Sequence, residues 1–251
     1  MKLTILGSGS SIPEKNRGCA GYLVTIRNKN YLFDSGAGTI RRLGEANVEL
    51  GDVHHLFYTH LHLDHVADLF PILFANKNIF RNQQRPPIHL YGPKGFRNFY
   101  LTMAQSVENQ VLSENYRIYL RELDSEGVVF PDWKLTTCSV VHSEQSLAYR
   151  IDEFTGASLV YSGDTDVSTN LVKLAYHCDL LILDCAFPEG CKVEGHLVPS
   201  EAGMLASEAG CKKVVLTHFY PSVNEEEVKA VCKKYFSGEV IIAQDLLEIE
   251  I

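Results

Sequence analysis

The sequence predicts an α/β fold in which mixed β-sheets are covered by outer helices, and three observations support this prediction. Short strand-like stretches alternate with helical ones along the whole chain of 251 residues. The early strands follow one another through turns, as in hairpins, whereas the late strands alternate with helices, as in parallel sheets. No linker rich in Pro, Gly or Ser interrupts the sequence, so we expect a single domain over residues 1–251.

The predicted strands are apolar stretches bounded by turn residues. They cover residues 2–6, 22–26, 31–34, 53–58, 88–91, 116–120, 135–141, 147–151, 158–161, 180–183, 214–216, 239–243 and 247–251. Helices are predicted over residues 38–46, 94–106, 200–209 and 225–235, and a further helix is predicted to begin near His65. We expect Ser200 to cap its helix, Gly210 to end it, and Pro71 to limit or kink the helix after His65.

Composition restricts the classes of function. The formal charge of −8 at pH 7 argues against a protein that coats nucleic acid or binds anionic lipid, since both need a basic surface. The seven cysteines contain no C-x-x-C pair, which disfavours a disulfide framework and a cysteine zinc site. We therefore expect a cytoplasmic protein without a membrane partner, because no apolar run reaches the roughly 18 residues that a membrane helix needs.

One segment has the opposite charge to the chain as a whole. Residues 69–107 contain three arginines, two lysines and no acidic residue, together with several Phe and Tyr residues. Three interpretations stay open: a solvated basic face over an aromatic core, a rim that orients an anionic substrate, or an interface between two copies of the chain.

The strongest chemical pattern follows the predicted strand 53–58, where His60, His62, Asp64 and His65 fall within six residues. In an extended segment His60, His62 and Asp64 project to the same side, whereas His65 opens the next helix and approaches from another direction. Such a segment can offer ligands to two neighbouring metal ions. Imidazole and carboxylate ligands suit Zn²⁺, with Mn²⁺ or Fe²⁺ as alternatives.

One loop cannot complete two metal sites, so further ligands must come from elsewhere in the chain. Four candidates stand at strand ends or in turns: His142, Asp164, His196 and His218. Each alone could be a capping or turn residue, but together with the first cluster they indicate a centre where several strands end.

The order of these residues resembles that of the metallo-β-lactamase superfamily: His-x-His-x-Asp-His, a later His, an Asp in Ser-Gly-Asp-Thr and a His in Leu-Thr-His. Other segments are similar to that superfamily and to its RNase Z branch of tRNA 3′-processing endoribonucleases and related phosphodiesterases. These segments are residues 6–10, 33–36, 91–95, 183–186, 195–196, 200–203 and 216–218. The resemblance runs over nearly the whole chain and implies a four-layered αβ/βα sandwich with metals at one edge of the facing sheets.

Residue roles follow from this resemblance. The implied ligands divide between two divalent metal ions: His60, His62 and His142 on the first, Asp64, His65 and His218 on the second, and Asp164 on both. Asp34 is expected to support them from outside the ligand set.

The resemblance also implies the chemistry. A metal-bound hydroxide, aimed by Asp64, would attack the substrate, and His196 would protonate the leaving alkoxide. Asp184 would orient His196. This pair favours phosphodiesters over lactones or β-lactams as substrates.

Two departures from RNase Z indicate a small substrate. RNase Z enzymes of the common type carry a long tRNA-binding arm between the third-motif His and the bridging Asp, whereas only 21 residues separate His142 from Asp164 here. Leu63 also stands where RNase Z proper has Gly. We therefore expect a small phosphodiester, such as a cyclic nucleotide or an RNA end. The alternatives are tRNA 3′ processing and a lactonase, thioesterase or β-lactamase-like activity, and a homodimer is an expectation by resemblance.

Overall fold

Two seven-stranded β-sheets form the centre of the computed structural model, which describes residues 1–251. In chain order the strands are β1 (Lys2–Gly7), β2 (Gly21–Ile26), β3 (Lys29–Ser35), β4 (Val53–Phe57), β5 (Ile88–Pro93), β6 (Ile118–Leu123), β7 (Gly127–Val129), β8 (Trp133–Ser139), β9 (Leu147–Glu153), β10 (Ser158–Tyr161), β11 (Leu180–Asp184), β12 (Lys213–Thr217), β13 (Glu239–Ile242) and β14 (Glu248–Glu250). The first sheet has the order β14-β1-β2-β3-β4-β5-β6, and the second has the order β13-β12-β11-β10-β9-β8-β7.

Each sheet contains a parallel part that delivers loops to one edge. Strands β3 to β6 are parallel to one another in the first sheet, as are β10 to β13 in the second. Because the carboxyl ends of parallel strands meet at the same edge, the loops after them gather polar side chains there.

Seven helices cover the sheets. They are α1 (Thr39–Glu45), α2 (Leu63–Val66), α3 (Leu69–Ile79), α4 (Phe96–Ser106), α5 (Thr169–Leu174), α6 (Pro199–Ala209) and α7 (Glu225–Cys232). A single 3₁₀ turn, Leu50–Asp52, precedes β4. None of the helices combines the length and the apolar character that a membrane span requires.

Three buried apolar clusters separate four layers. One cluster lies between the sheets and includes Phe33, Phe57 and Trp133. The second joins the outer face of the first sheet to α1, α3 and α4, and the third joins the second sheet to α5, α6 and α7. The predicted four-layered αβ/βα sandwich is therefore confirmed.

Strand register aligns the aromatic residues of the inter-sheet core. Phe33, Phe57 and Tyr91 occupy paired positions on β3, β4 and β5, and their neighbouring ring centroids lie 4.7 and 4.4 Å apart. Stacked cross-strand pairs of this kind stabilise a sheet beyond the area they bury. A second row lies two residues earlier on the same strands and on β6: Tyr31, His55, His89 and Tyr119.

Most predicted elements are present, and the differences have local causes. Helix α6 begins at Pro199, and the side chain of Glu201 accepts a hydrogen bond from the N–H of Val198 at 3.1 Å, so the prediction that Ser200 caps this helix is wrong. The prediction that Pro71 limits or kinks a single helix is also wrong. The chain forms two helices there, and Pro71 lies in the first turn of α3, where it has no intrahelical hydrogen bond to lose.

Candidate metal centre

The histidine cluster begins where β4 ends at the edge of the first sheet. His62 lies on extended backbone, but a helix begins at Leu63, so Asp64 and His65 both stand in α2. The expectation that Asp64 continues one extended segment with His60 and His62 is therefore wrong. The helical turn instead directs Asp64 towards His218, which comes from the second sheet.

Three imidazoles and one carboxylate converge on the first predicted metal position. His62 Nδ1 lies 3.1 Å from His60 Nε2 and 3.0 Å from His142 Nε2. Asp164 Oδ2 lies 3.7 Å from both of those Nε2 atoms. These four ligand atoms lie within 4.8 Å of one another, and they have the number and type that Zn²⁺ sites use.

Hydrogen bonds on the outer side of two rings direct lone pairs inward. His142 Nδ1 donates to the carbonyl of Gly195 at 2.9 Å, which leaves Nε2 of the neutral ring as an acceptor. Thr59 Oγ1 donates to Asp34 and lies 3.0 Å from His60 Nδ1, from which it can accept. Burial lowers the pKa of His60 well below its usual value, which keeps the ring neutral. Neutral imidazoles of fixed tautomer are what a metal ion requires.

The second predicted position lies between α2 and the end of β12. His218 Nε2 lies 3.4 Å from Asp64 Oδ2 and 3.3 Å from Asp164 Oδ2. His65 Nε2 is wholly buried and lies 3.1 Å from Asp164 Oδ1, but it has no hydrogen-bond partner. A cation bound here would satisfy it, since an unpartnered buried nitrogen is costly. Asp164 contacts both groups, as a bridging residue must.

Asp34 connects these ligands from behind. It ends β3 in the left-handed conformation, with φ of 53°, and its carboxylate is wholly buried. It accepts hydrogen bonds from Thr59 N and Oγ1, both at 2.8 Å, and from the hydroxyl of Tyr161 at 2.7 Å. His65 Nδ1 lies 2.8 Å away. These contacts hold both the strained backbone and the ring of His65.

His218 shows the same kind of backbone constraint. It follows β12 with φ of 64°, a conformation that few residues other than glycine adopt. The next residue, Phe219, hydrogen-bonds through its N–H to the carbonyl of Ser8 at 3.1 Å. The strained residue is thus held by the turn that follows β1.

His196 and Asp184 form a pair beside the second group of ligands. His196 Nδ1 lies 2.8 Å from Asp184 Oδ2, which also accepts from Thr165 N at 3.0 Å. The His196 ring stacks on His218, with centroids 5.3 Å apart and planes 8° apart. Burial alone would lower the pKa of His196, but the hydrogen bond to Asp184 outweighs burial and raises it. Burial raises the pKa of Asp184.

Two aromatic residues beside this pair were missed by the sequence analysis. The rings of Phe187 and Tyr220 stack with centroids 4.5 Å apart, and Phe187 meets the His196 ring at 5.6 Å. A signal was available, because Phe187 follows Asp184 by three residues and Tyr220 follows His218 by two. Each therefore lies just beyond a strand end that carries a site residue.

The basic segment 69–107 contributes to the core of the first sheet. Phe96 and Tyr100 are buried there. Arg85 is buried as well, and its Nη2 lies 2.8 Å from His54 Nδ1 at the start of β4, at the sheet edge opposite the metal centre. The aromatic core of the first interpretation is present, whereas the substrate rim and the interface stay expectations.

Comparison with known proteins identifies the family. The family model described as "Anti-Pycsar protein Apyc1" matches residues 1–237. This chain belongs to that family. The matched range contains every predicted metal ligand and the His196–Asp184 pair, so the whole centre of this Apyc1-family chain lies within it.

Relatives of the Apyc1-family chain include proteins of two lengths. "Uncharacterized protein Rv1339" of Mycobacterium tuberculosis is 29 % identical over 256 aligned positions, which cover 99 % of this chain and 92 % of the relative. Ribonuclease Z of Bacillus subtilis is 25 % identical over 312 positions, which cover 100 % and 99 %. The longer alignment means that the ribonuclease carries insertions that the Apyc1-family chain lacks.

Solved structures share the fold of the Apyc1-family chain. The metallo-β-lactamase fold protein YhfI from Bacillus subtilis superposes with a TM-score of 0.87 at 23 % identity, covering 100 % of this chain and 99 % of that one. Human tRNase Z, short form, gives a TM-score of 0.80 at 26 % identity with the same coverage. The predicted membership of the metallo-β-lactamase superfamily, among RNase Z-like hydrolases, is confirmed.

The residues of this Apyc1-family chain fit a pair of divalent metal ions. The donor set is five imidazoles and two carboxylates: His60, His62, His142 and Asp164 form one group, and Asp64, His65 and His218 form another. Asp164 also lies 3.1 Å from His65 Nε2 and 3.3 Å from His218 Nε2, and the buried His65 Nε2 has no hydrogen-bond partner. When bound, such ions supply an activated water and neutralise charge on a substrate oxygen. The fold, the relatives and this cluster together make the protein a metal-dependent hydrolase.

Proposed function

We propose that the chain is a phosphodiesterase that hydrolyses a small phosphodiester, either a cyclic nucleotide or an RNA end, with two Zn²⁺ ions as the first choice of metal and Mn²⁺ or Fe²⁺ as alternatives. The observation that carries the proposal is the His196–Asp184 pair beside the ligand cluster. Breaking a phosphodiester expels an alkoxide, which is a poor leaving group unless it receives a proton. His196, oriented through Nδ1 by Asp184, keeps Nε2 available to give that proton.

The other residues divide the remaining work. Asp64 accepts a hydrogen bond from the attacking water and aims it at phosphorus. Asp34 holds His65, and through Thr59 it holds the loop that carries His60. Pre-set groups of this kind need no rearrangement during the reaction, and this is how an active site stabilises developing charge.

The size of the rim supports a small substrate. The 21 residues between His142 and Asp164 contain the antiparallel strands β9 and β10, which pair with each other from Ser158 and Asp152 onward. A long arm therefore does not leave the fold at this point. The shorter alignment with the mycobacterial relative than with ribonuclease Z agrees with this reading.

The stacked rings of Phe187 and Tyr220 support a substrate that carries a base. Both are half-buried, and their ring centroids lie 5.6 and 6.3 Å from that of His196. A nucleobase stacked on an aromatic ring gains about 1–3 kcal/mol, so these rings can hold the base while the phosphodiester lies at the metal centre. The family description names its members anti-Pycsar proteins, and we extend that role to this chain through hydrolysis of such a substrate.

The test compares two leaving groups in the variant His196→Ala. We expect turnover of a 3′,5′-cyclic nucleotide, which expels an alkoxide, to fall by about 10²–10⁴-fold. Turnover of bis-p-nitrophenyl phosphate should fall much less, because its phenolate leaves without a proton. Equal, few-fold losses on both substrates would refute the role of His196, and turnover of a lactone alone would favour the alternative activity. The exposed His177 supplies the matched control, His177→Ala, which should leave both rates unchanged.

A further inference from the structure

One peptide group joins a predicted metal ligand to the proposed proton donor. The carbonyl of Gly195 accepts a hydrogen bond from His142 Nδ1 at 2.9 Å, and His196 is the next residue. Gly195 has φ of 88°, and a Cβ at this position would lie 2.9 Å from His142 Nδ1. A displacement of this peptide would therefore disturb both His142 and His196.

Asp166 holds the same peptide from the other side. Its Oδ2 accepts a hydrogen bond from Gly195 N at 3.1 Å. Its own N–H donates to the carbonyl of Val141 at 2.6 Å, directly before His142. Asp166 therefore fixes the backbone at both ends of the His142–Gly195 hydrogen bond.

Lys192 fixes the carboxylate of Asp166 in turn. Its Nζ lies 2.6 Å from Asp166 Oδ1 and 2.5 Å from Glu201 Oε2, and Glu201 Oε2 also accepts from Val198 N at 3.1 Å. Charge-assisted hydrogen bonds thus hold residues 192–201 on both sides of His196. Burial would raise the pKa of Asp166, but the hydrogen bond from Lys192 and those from two backbone amides outweigh burial and lower it.

We propose that Asp166 is a positioning residue that couples the orientation of His142 to the placement of His196. The inference rests on the proposed function only for the role of His196 as proton donor. The part that concerns His142 depends only on its place among the metal ligands. With Asp166 present, His142 Nε2 faces the first ligand group while His196 stays on Asp184. Without it, the Gly195 N–H loses its acceptor and Lys192 loses one of its two partners, so the peptide between His142 and His196 is free to shift.

The experiment titrates metal-free protein with Co²⁺, whose absorption reports binding in the absence of any substrate. We expect Asp166→Ala to lower the affinity for one of the two Co²⁺ ions by about 10–100-fold, the usual effect of removing a residue that holds a metal ligand in place. We expect kcat for a cyclic nucleotide to fall more than tenfold, with a smaller change in KM. Asp166→Asn keeps an acceptor for Gly195 N but loses the charge, so it should recover part of both losses.

Matched variants separate this role from general stability. Lys192→Met should lower both the affinity for Co²⁺ and kcat by a few-fold. Lys212→Met removes a similar pair, in which Lys212 Nζ lies 2.6 Å from Asp179 Oδ1, and it should change neither. If Asp166→Ala binds two Co²⁺ ions with unaltered affinity and keeps kcat within twofold, the proposal is overturned.

A second variant protects the test against misfolding. If Asp166→Ala does not fold, Gly195→Ala takes its place, because its Cβ would press on His142 Nδ1. Unchanged Co²⁺ binding in both Gly195→Ala and Lys192→Met would overturn the proposal as well. A protein that cleaves no phosphodiester would count against the proposed function, yet the Co²⁺ titration would still test Asp166.

Discussion

Single residues of the metal centre divide into those that a sequence can reveal and those that it cannot. His60, His62, Asp64 and His65 stand out because four ligand-type side chains follow one apolar strand. The hydroxyl of Tyr161, by contrast, reaches Asp34 across 127 positions of sequence. That contact depends on how the two sheets face each other, and no local pattern in the chain carries this information.

Asp34 contributes both to the stability of the fold and to the orientation of the metal ligand His65. The variant Asp34→Ala should therefore lower both the free energy of unfolding and the affinity for metal. The change leaves the buried N–H of Thr59 and the hydroxyl of Tyr161 without acceptors, at about 1–3 kcal/mol each. Urea unfolding of metal-free protein should therefore show a loss of about 3 kcal/mol or more. Asp152→Ala, which removes a partly exposed pair with Arg150, should change the free energy of unfolding by less than about 1 kcal/mol. Equal losses of unfolding free energy in the two variants would contradict the claim that Asp34 stabilises the fold.

Elements were predicted best where turn residues bound a clear pattern of apolar residues. The strand predicted over residues 158–161 matches β10 at both ends, and Gly210 ends α6 as predicted, in the left-handed conformation. Strand β7 and helix α5 were missed, because three and six residues are too few to show a periodic pattern. The predicted start of α6 is one residue too late. Serine is a common N-cap residue, but in this helix Pro199 already occupies the first helical position.

The close approach of α2 to the end of β3 gives a prediction at Gly36. A Cβ there would lie 2.0 Å from the carbonyl of Asp64 and 2.5 Å from Cys19 Cβ. Gly36→Ala should therefore displace Asp64, lower the free energy of unfolding by about 1–3 kcal/mol, and weaken Co²⁺ binding. Gly44 lies in α1 with open space around it, so Gly44→Ala should stabilise the protein by about 0.5–1 kcal/mol. Chemical denaturation of both variants checks the difference in sign, and destabilisation by both would contradict it.

The row of imidazoles across β4 and β5 predicts a loss of stability in mild acid. Burial, with smaller effects from His89, His54 and Lys29, lowers the pKa of His55 to about 4, against about 6.5 in an unfolded chain. Between these values the unfolded chain binds the extra proton, so stability is complete above about pH 6.5 and falls as the pH drops towards 4. The shift equals about 3 kcal/mol for a wholly buried group, and the partial exposure of His55 makes the loss smaller.

Urea unfolding between pH 7 and pH 4 measures this effect. The variant His55→Phe, which extends the neighbouring row of phenyl rings, should show a shallower fall in stability over this range than the unaltered protein. If the free energy of unfolding depends on pH in the same way in both proteins, the loss of stability in mild acid does not come from His55.

The whole molecule brings the centre together from both sheets. Asp34 and the residues after β4 come from the first sheet, whereas His142, Asp164 and His218 come from the second. The alternation of strands and helices predicts mixed sheets with outer helices, and the resemblance to the superfamily implies that they form four layers. The sequence does not predict which loops meet across the sandwich without the resemblance to a known superfamily.

Bound metal should therefore tie the two halves of the sandwich together. An ion present at 100 times its Kd adds about 2.7 kcal/mol to stability, and for a protein of this size that corresponds to roughly 5–10 °C in Tm. Removal of metal with EDTA should lower Tm by this amount, and added Zn²⁺ should restore it. The variant His60→Ala should respond less, and equal Tm values with and without metal would contradict a metal site that joins the sheets.

The central claim is that this metal centre hydrolyses small phosphodiesters, and a parallel substrate panel tests it most directly. Purified protein, loaded in turn with Zn²⁺ and Mn²⁺, is assayed with 3′,5′- and 2′,3′-cyclic nucleotides, short RNAs, precursor tRNA and a lactone. We predict rapid, EDTA-sensitive hydrolysis of a cyclic nucleotide or a short RNA end, with little cleavage of precursor tRNA and none of the lactone. Efficient turnover of precursor tRNA or of the lactone, with no cleavage of the small phosphodiesters, would contradict the claim.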